Sequence, residues 1–197
     1  MVRSLFLLML SFCVGVPATA QAPFDWGLCR DFGRGASEAK LNACTALIES
    51  GKRVGGDLAN IHVMRGRIHF FLKGEIDRAL AEYSEALRIE PRNCAAFYFR
   101  SIVSASENNA DDAIAHLSTA ISFCPTVGVY HRQRGVARYV KLELDQAISD
   151  LDEALRLDPD DATALMIRSM AKQSKGDQAG SQSDKRALEE LLQRNTR

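Results

Sequence analysis

The sequence has no excess of either charge: 25 Lys and Arg stand against 25 Asp and Glu in 197 residues. Nucleic acid and anionic membrane surfaces are held by a basic field, so neither is an expected partner. Nor is there a hydrophobic run of the about 20 residues that cross a bilayer. The longest apolar stretch, Leu5 to Val16, is too short for that, and no second one follows. The common catalytic signatures are missing as well: no G-x-S-x-G, no P-loop, no G-x-G-x-x-G. His62, His69, His116 and His131 are scattered, without the H-E-x-x-H arrangement of a zinc protease. No cysteine pair has the close spacing of a zinc site. Asp158, Asp160 and Asp161 lack the glycine and the twelfth-position Glu of a calcium loop, and read as residues solvating a turn. These absences lead to the expectation that the chain is not an enzyme and has no metal or cofactor.

The apolar stretch that does occur has an address-like context. Arg3 precedes it and Pro17-Ala18-Thr19-Ala20 follows, which together make a positive start, an apolar middle and a small-x-small cleavage site. Residues 1–20 are therefore read as a secretory signal peptide, with the mature chain starting near Gln21 in the periplasm or outside the cell. Leu10-Ser11-Phe12-Cys13 faintly resembles a lipoprotein box, but Phe12 stands where a small residue is needed. Cleavage removes Cys13 and leaves Cys29, Cys44, Cys94 and Cys124, an even number that in an exported protein reads as disulfides.

What the rest of the chain has is a period. Ala79, Ala113 and Ala147 are evenly spaced, and so are Ala86, Ala120 and Ala154, and Pro91, Pro125 and Pro159, all three series at the same 34-residue interval. Around the alanines the apolar positions follow a helical face: 79, 80, 83, 86 and 87, repeated as 113, 114, 117, 120 and 121 and as 147, 148, 151, 154 and 155. Alanine lets two helices approach closely, and proline ends each helix because it has no amide hydrogen to give. Asp77, Asp111 and Asp145 fall at the helix starts, where a carboxylate meets free amides or the positive end of the dipole. A second helical pattern lies upstream of the later two, at 95–106 and 130–141, and a third at 163–174. Turn-like Asn108-Asn109, Leu142-Glu143 and Lys175-Gly176-Asp177 follow them. A helix, a turn and a helix cannot bury both faces alone, so neighbours must stack into a solenoid. The fold class is all-α.

The pattern resembles the tetratricopeptide repeat, most fully through Arg134-Gly135, Tyr139, Ala147, Leu151, Ala154 and Pro159. The next unit back has Arg100-Ser101 where the family has Leu-Gly. The one before has Arg65-Gly66 with Gly74 one residue late, which predicts an extra residue or an altered turn. The resemblance implies a right-handed solenoid of antiparallel helix pairs over residues 59–197, with repeats at about 60–93, 94–127 and 128–161. A polar cap at 162–197 follows, with Ser181 in place of the packing alanine and a stripe of Ala187, Leu188, Leu191 and Leu192. Residues 21–58 are read as a disulfide-tied entry: an irregular part with Phe24, Trp26 and Phe32, then a degenerate helix at 39–49 with Leu41, Cys44, Leu47 and Ile48 on one side. In an antiparallel pair the first helix starts beside the end of the second, so Cys94 is expected to meet Cys124; Cys29 and Cys44 pair by elimination.

The resemblance also implies where a ligand goes: a concave groove lined by the first helices, at Tyr98, Ile102, Arg132, Val136, Tyr139, Met166 and Met170. Tyr98, Arg132 and Met166 occupy the places of the lysine-and-asparagine clamp with which some members hold chaperone tails, so that ligand is not expected. Arg100, Arg134 and Arg168 follow the same period, with Arg65 close to joining them. They are open to two readings, as receptors for peptide carboxylates or as partners of acids in their own unit, such as Asp150 for Arg134. The expected function is an exported scaffold holding a partner's peptide segment. The alternative is an accessory subunit of an envelope complex that uses the outer helix face.

Overall fold

The structure, a computed structural model, describes Cys29 and residues 37–195. The expected signal peptide, and the irregular segment apart from Cys29, lie outside the described residues. These form a succession of helices: α1 Ser37–Glu49, α2 Gly55–Ile68 with a π turn His69–Lys73, α3 Ile76–Ile89, α4 Cys94–Ser106, α5 Ala110–Phe123, α6 Gly128–Val140, α7 Leu144–Leu157, α8 Ala162–Ser174 and α9 Gln178–Asn195. Each packs on the next, so that α2–α3, α4–α5, α6–α7 and α8–α9 are pairs that stack through α3–α4, α5–α6 and α7–α8. The architecture is an all-α solenoid of helix pairs. Helices α4, α6 and α8 begin one or two residues ahead of the periodic apolar pattern, because a helix's opening turn need not face the core.

The recurring alanines are the pair contacts. Ala79, Ala113, Ala147, Ala86, Ala120 and Ala154 are all at most 1% exposed. Opposite them a first-helix residue must be small. A Cβ on Gly66 would lie 2.5 Å from the Tyr83 ring, and one on Gly135 would lie 2.8 Å from Leu151 Cγ. Ser101 and Ser169 hold the corresponding places. Ser101 turns its hydroxyl to the Tyr98 carbonyl at 2.6 Å, and Ser169 meets Ser181 at 3.1 Å. Ser181 is thus a buried partner to Ser169 in the last pair.

Gly66 stands one position further from Ser101 than the period allows, and the π turn is where the additional residue goes. A π turn widens the helix by one residue without breaking it. After it, Gly74 restores the common phase. Gly74, Asn108, Leu142 and Gly176 each end a first helix with positive φ, at 68°, 59°, 61° and 87°. Glycine takes this left-handed conformation freely and asparagine tolerably, but for leucine it is strained.

The helix starts depart from expectation in one respect. Asp77, Asp111 and Asp145 sit in the first turns of α3, α5 and α7, as the dipole favours, but of these helices only α5 has a side-chain cap, Asn109 accepting from the Asp112 amide, while Asn93 and Asp161 cap α4 and α8 through Ala96 and Ala164. Asp111 and Asp145 instead meet Lys141 and Lys175 of the following pair. At the C-terminal end, Leu191 is buried and Ala187 and Leu188 pack partly, whereas Leu192 is 54% exposed and leaves the expected stripe.

At the N-terminal end, α1 lays Leu41, Cys44, Leu47 and Ile48 against Ile61 and Ile68 of α2. The neighbouring Lys40 is buried too. The cysteines lie in the two expected pairs, with Cα separations of 5.0 Å for Cys29–Cys44 and 6.2 Å for Cys94–Cys124. Both are within disulfide reach. Among the described residues no helix is long and apolar enough to cross a membrane.

Two outcomes are expected. Replacing Leu142 by Gly removes left-handed strain of about 1–2 kcal/mol, partly offset by the greater freedom of an unfolded Gly. A net gain of about 1 kcal/mol raises the thermal midpoint by about 2–4 °C in a chain of this size; a drop in calorimetry would show that Leu142 is held by contacts. Non-reducing peptide mapping of the oxidised protein is expected to yield Cys29–Cys44 and Cys94–Cys124 peptides and no Cys29–Cys94 species. Reducing either bridge is expected to cost about 3–4 kcal/mol on the chain-entropy account.

Candidate functional site

The groove residues assigned from the repeat pattern come in i, i+4 steps: 98 and 102 on α4, 132 and 136 on α6, 166 and 170 on α8. That spacing puts each couple on one face of its helix. The structure shares these residues out among different contacts. Ile102 and Val136 meet across an apolar cleft of about 220 Å³, walled also by Ala105, Ala113, Leu117 and Val140. Its lining comes from α4, α5 and α6. Met166 and Met170 are 45% and 40% exposed on α8.

Tyr98 and Arg132 are already engaged. The Tyr98 ring lies 5.1 Å from Tyr130 and 4.9 Å edge-on to Phe99. Phe99 in turn stacks on Tyr83 at 5.9 Å and carries the Arg67 guanidinium 4.8 Å above its ring. Burial lowers the Arg67 pKa, with the nearby Tyr83 and Tyr98 acting against it. Arg132 reaches forward to Asp161 at 2.8 Å, the residue that also caps α8. Asp161 is therefore a clasp between stacked pairs, and Asp158 and Asp160 serve the same turn: the Asp158 carboxylate accepts the Asp160 amide, and Asp160 pairs with Arg194. Tyr139 stands partly exposed on α6.

Val140 and Leu142 were missed, though Val140 was within reach of the pattern. It continues the row Arg132, Val136 by another four residues, and it is 68% exposed at the mouth of the cleft. Leu142, 74% exposed two residues on, has no periodic signal, because glycine or asparagine fills its place in the other turns.

The periodic arginines face elsewhere. Arg134 is two residues from Arg132 and from Val136, about 200° around the helix. Its guanidinium grips Asp150 of α7 with two bonds of 2.9 and 2.7 Å, and Arg138 adds a third at 2.8 Å. Arg168 grips Asp184 likewise at 3.0 and 2.6 Å, with Lys172 beside it at 3.0 Å. In the first pair Arg65 meets Glu82 at 2.8 Å, and His62 meets the same carboxylate at 2.8 Å. Burial pushes the Glu82 carboxyl up, but the hydrogen bonds from His62 and Arg65 outweigh it and hold its pKa below the usual carboxylate range. Asp150 and Asp184 are nearly buried, at 4% and 3% exposed. Losing one member of such a pair strands the other, at about 3–5 kcal/mol. Of the two readings of the arginines, partnership within the unit is the one the geometry supports at 65, 134 and 168. Among the described residues Arg100 has no such partner.

The comparisons with known proteins agree with this geometry. Residues 64–127 match the tetratricopeptide repeat family. No curated protein matches the chain. Among solved structures, MamA from Desulfovibrio magneticus RS-1 is similar with a TM-score of 0.68 at 19% identity, over 81% of this chain and 88% of that one. YrrB, described as a TPR protein with an unusual peptide-binding site, is similar with a TM-score of 0.61 at 18% identity, over 79% and 77%. The first TPR of Spaghetti (RPAP3), solved with the HSP90 peptide SRMEEVD, has a TM-score of 0.59 at 21% identity, over 64% and 99%. With the 34-residue period, the stacked helix pairs and the small residues between them, these matches show tetratricopeptide repeats at residues 64–127 and the fold of tetratricopeptide-repeat structures over most of the chain.

Proposed function

We propose that this protein is an interaction scaffold that takes a partner's peptide segment across α4, α6 and α8, setting one apolar side chain into the cleft at Ile102 and Val136. The cleft carries the reading. Its volume of about 220 Å³ is below the about 300–1,000 Å³ of small-molecule pockets, and suits a single large side chain. Exposed Val140 and Leu142 extend the apolar surface at one end, and Met166 and Met170 do so on α8. Methionine adapts to differently shaped partners. Stacked repeats hold this surface in place before binding, which lowers the ordering cost of recognition.

The RPAP3 domain holding an HSP90 peptide and the peptide-binding site named for YrrB support this reading for the fold. An acidic chaperone tail is a poor fit here, since Arg132 is taken up by Asp161. We place the protein in the periplasm or outside the cell, where two cysteine pairs at bonding distance oxidise and persist.

Because Arg132 clasps two repeats, it is the wrong residue with which to test the groove. Tyr139→Ala and Met170→Glu alter the surface without touching a buried ion pair. Peptides selected on the wild-type protein from a displayed library are expected to bind each variant at least tenfold more weakly, about 1.4 kcal/mol. The midpoint of thermal unfolding is expected to stay within about 2 °C, as for surface changes generally. Undiminished binding to both variants would exclude this surface.

A further inference from the structure

Successive stacked pairs are joined by two polar rungs per seam, made by residues that do not line the cleft. Across α5–α6, Arg134 donates to Ser118 at 3.1 Å and Lys141 meets Asp111. Across α7–α8, Arg168 meets Asp152 at 2.7 Å and Lys175 meets Asp145. Arginine and lysine are seven residues apart in both, which keeps them on one face of their helix.

The α3–α4 seam breaks both rungs. The register puts Arg100 on α4 and Glu107, the residue that caps its end, against Ser84 and Asp77 on α3. Glu107 and Asp77 carry like charges, and neither has an ion pair among the described residues. Arg100 also lacks the carboxylate of its own pair, since His116 stands where the others have Glu82, Asp150 and Asp184. Its guanidinium meets no acceptor among the described residues, and its Nε is shielded from water. Burial, and then the charge of Arg100, lower the His116 pKa, with Asp112 acting against them.

We propose that the α3–α4 seam is a second interaction site, for a partner segment presenting a carboxylate and a basic group about 10 Å apart, seven helical residues at 1.5 Å each. The carboxylate takes the fork of Arg100 beside His116, and the basic group sits between Asp77 and Glu107. The guanidinium fork matches a carboxylate with two parallel bonds. A cation between the two acids supplies what Lys141 and Lys175 supply in the other seams. The partner completes the ladder that the chain leaves open, using residues other than those lining the cleft.

The test uses the full mature chain labelled with ¹⁵N and the peptide acetyl-Asp-Ala-Ala-Lys-amide, whose charged residues are about 10 Å apart when extended. The Arg100 Nε–H resonance is expected to shift and saturate with a Kd on the order of 1 mM, while those of Arg65, Arg134 and Arg168 stay still. Gln in place of the peptide's Lys is expected to weaken binding at least threefold. His116→Asp supplies the missing internal acid and Glu107→Lys the missing internal base; the first is expected to weaken binding at least tenfold and the second at least threefold. No shift of Arg100 at 10 mM (about ten times that Kd), equal shifts of all four arginines, or full binding by His116→Asp would overturn the proposal. Tyr139→Ala and Met170→Glu leave this titration unchanged, so a failure here is separate from a failure of the groove.

Discussion

Two helices can share a buried line of contact only where their backbones come close, and in this chain that closeness rests on a few small residues. Gly66 lies under the Tyr83 ring and Gly135 under Leu151, with no room for a Cβ at either. Ala79 and Ala147 complete the contact from the second helix, both fully buried. A larger residue at these points pushes the helices apart or drives side chains off their rotamers, at about 1–3 kcal/mol. The geometry of everything else follows from these contacts: which face of α4, α6 and α8 turns towards the next pair, and which stays open.

Three pairs use the remaining polar positions in the same way. A guanidinium enters between helices and finds a carboxylate that is almost wholly buried, as Arg134 does with Asp150 and Arg168 with Asp184. Such an arrangement adds little net stability over a well-packed apolar core, but is costly to break. Its consequence here is that Arg65, Arg134 and Arg168 are taken up within their own pairs. The proposed groove is an apolar surface with adaptable side chains, and the cation assigned to it, Arg132, is committed to holding two repeats together.

The departures from regularity fall at particular places. The π turn after α2 accommodates the additional residue ahead of Gly74 and leaves Phe71 and Leu72 exposed, at 50% and 40%. Leu142 takes a left-handed turn that glycine or asparagine fills elsewhere and presents an exposed side chain two residues beyond Val140 of the cleft. Strain that a glycine would relieve is often kept where a side chain has a use. The second pair, with neither acid for Arg100 nor lysine at 107, is the one whose polar rungs are left open.

The sequence by itself determined the period, the helix pairs and the all-α class, because small residues and prolines at 34-residue intervals have few other physical explanations. It also determined which cysteines lie together, since an antiparallel pair brings Cys94 to Cys124 whatever the details of packing. Periodicity named a face of each first helix but not the contacts of its side chains. Only the tertiary structure decided that Tyr98 packs against Tyr130 and that Arg132 goes to Asp161, while Ile102 and Val136 form a cleft with Val140. Each of these outcomes depends on a partner in the neighbouring helix pair, as Arg132 with Asp161 and Ile102 with Val140 show. A helical period records which way a residue points; what it meets there is set by how the next pair stacks.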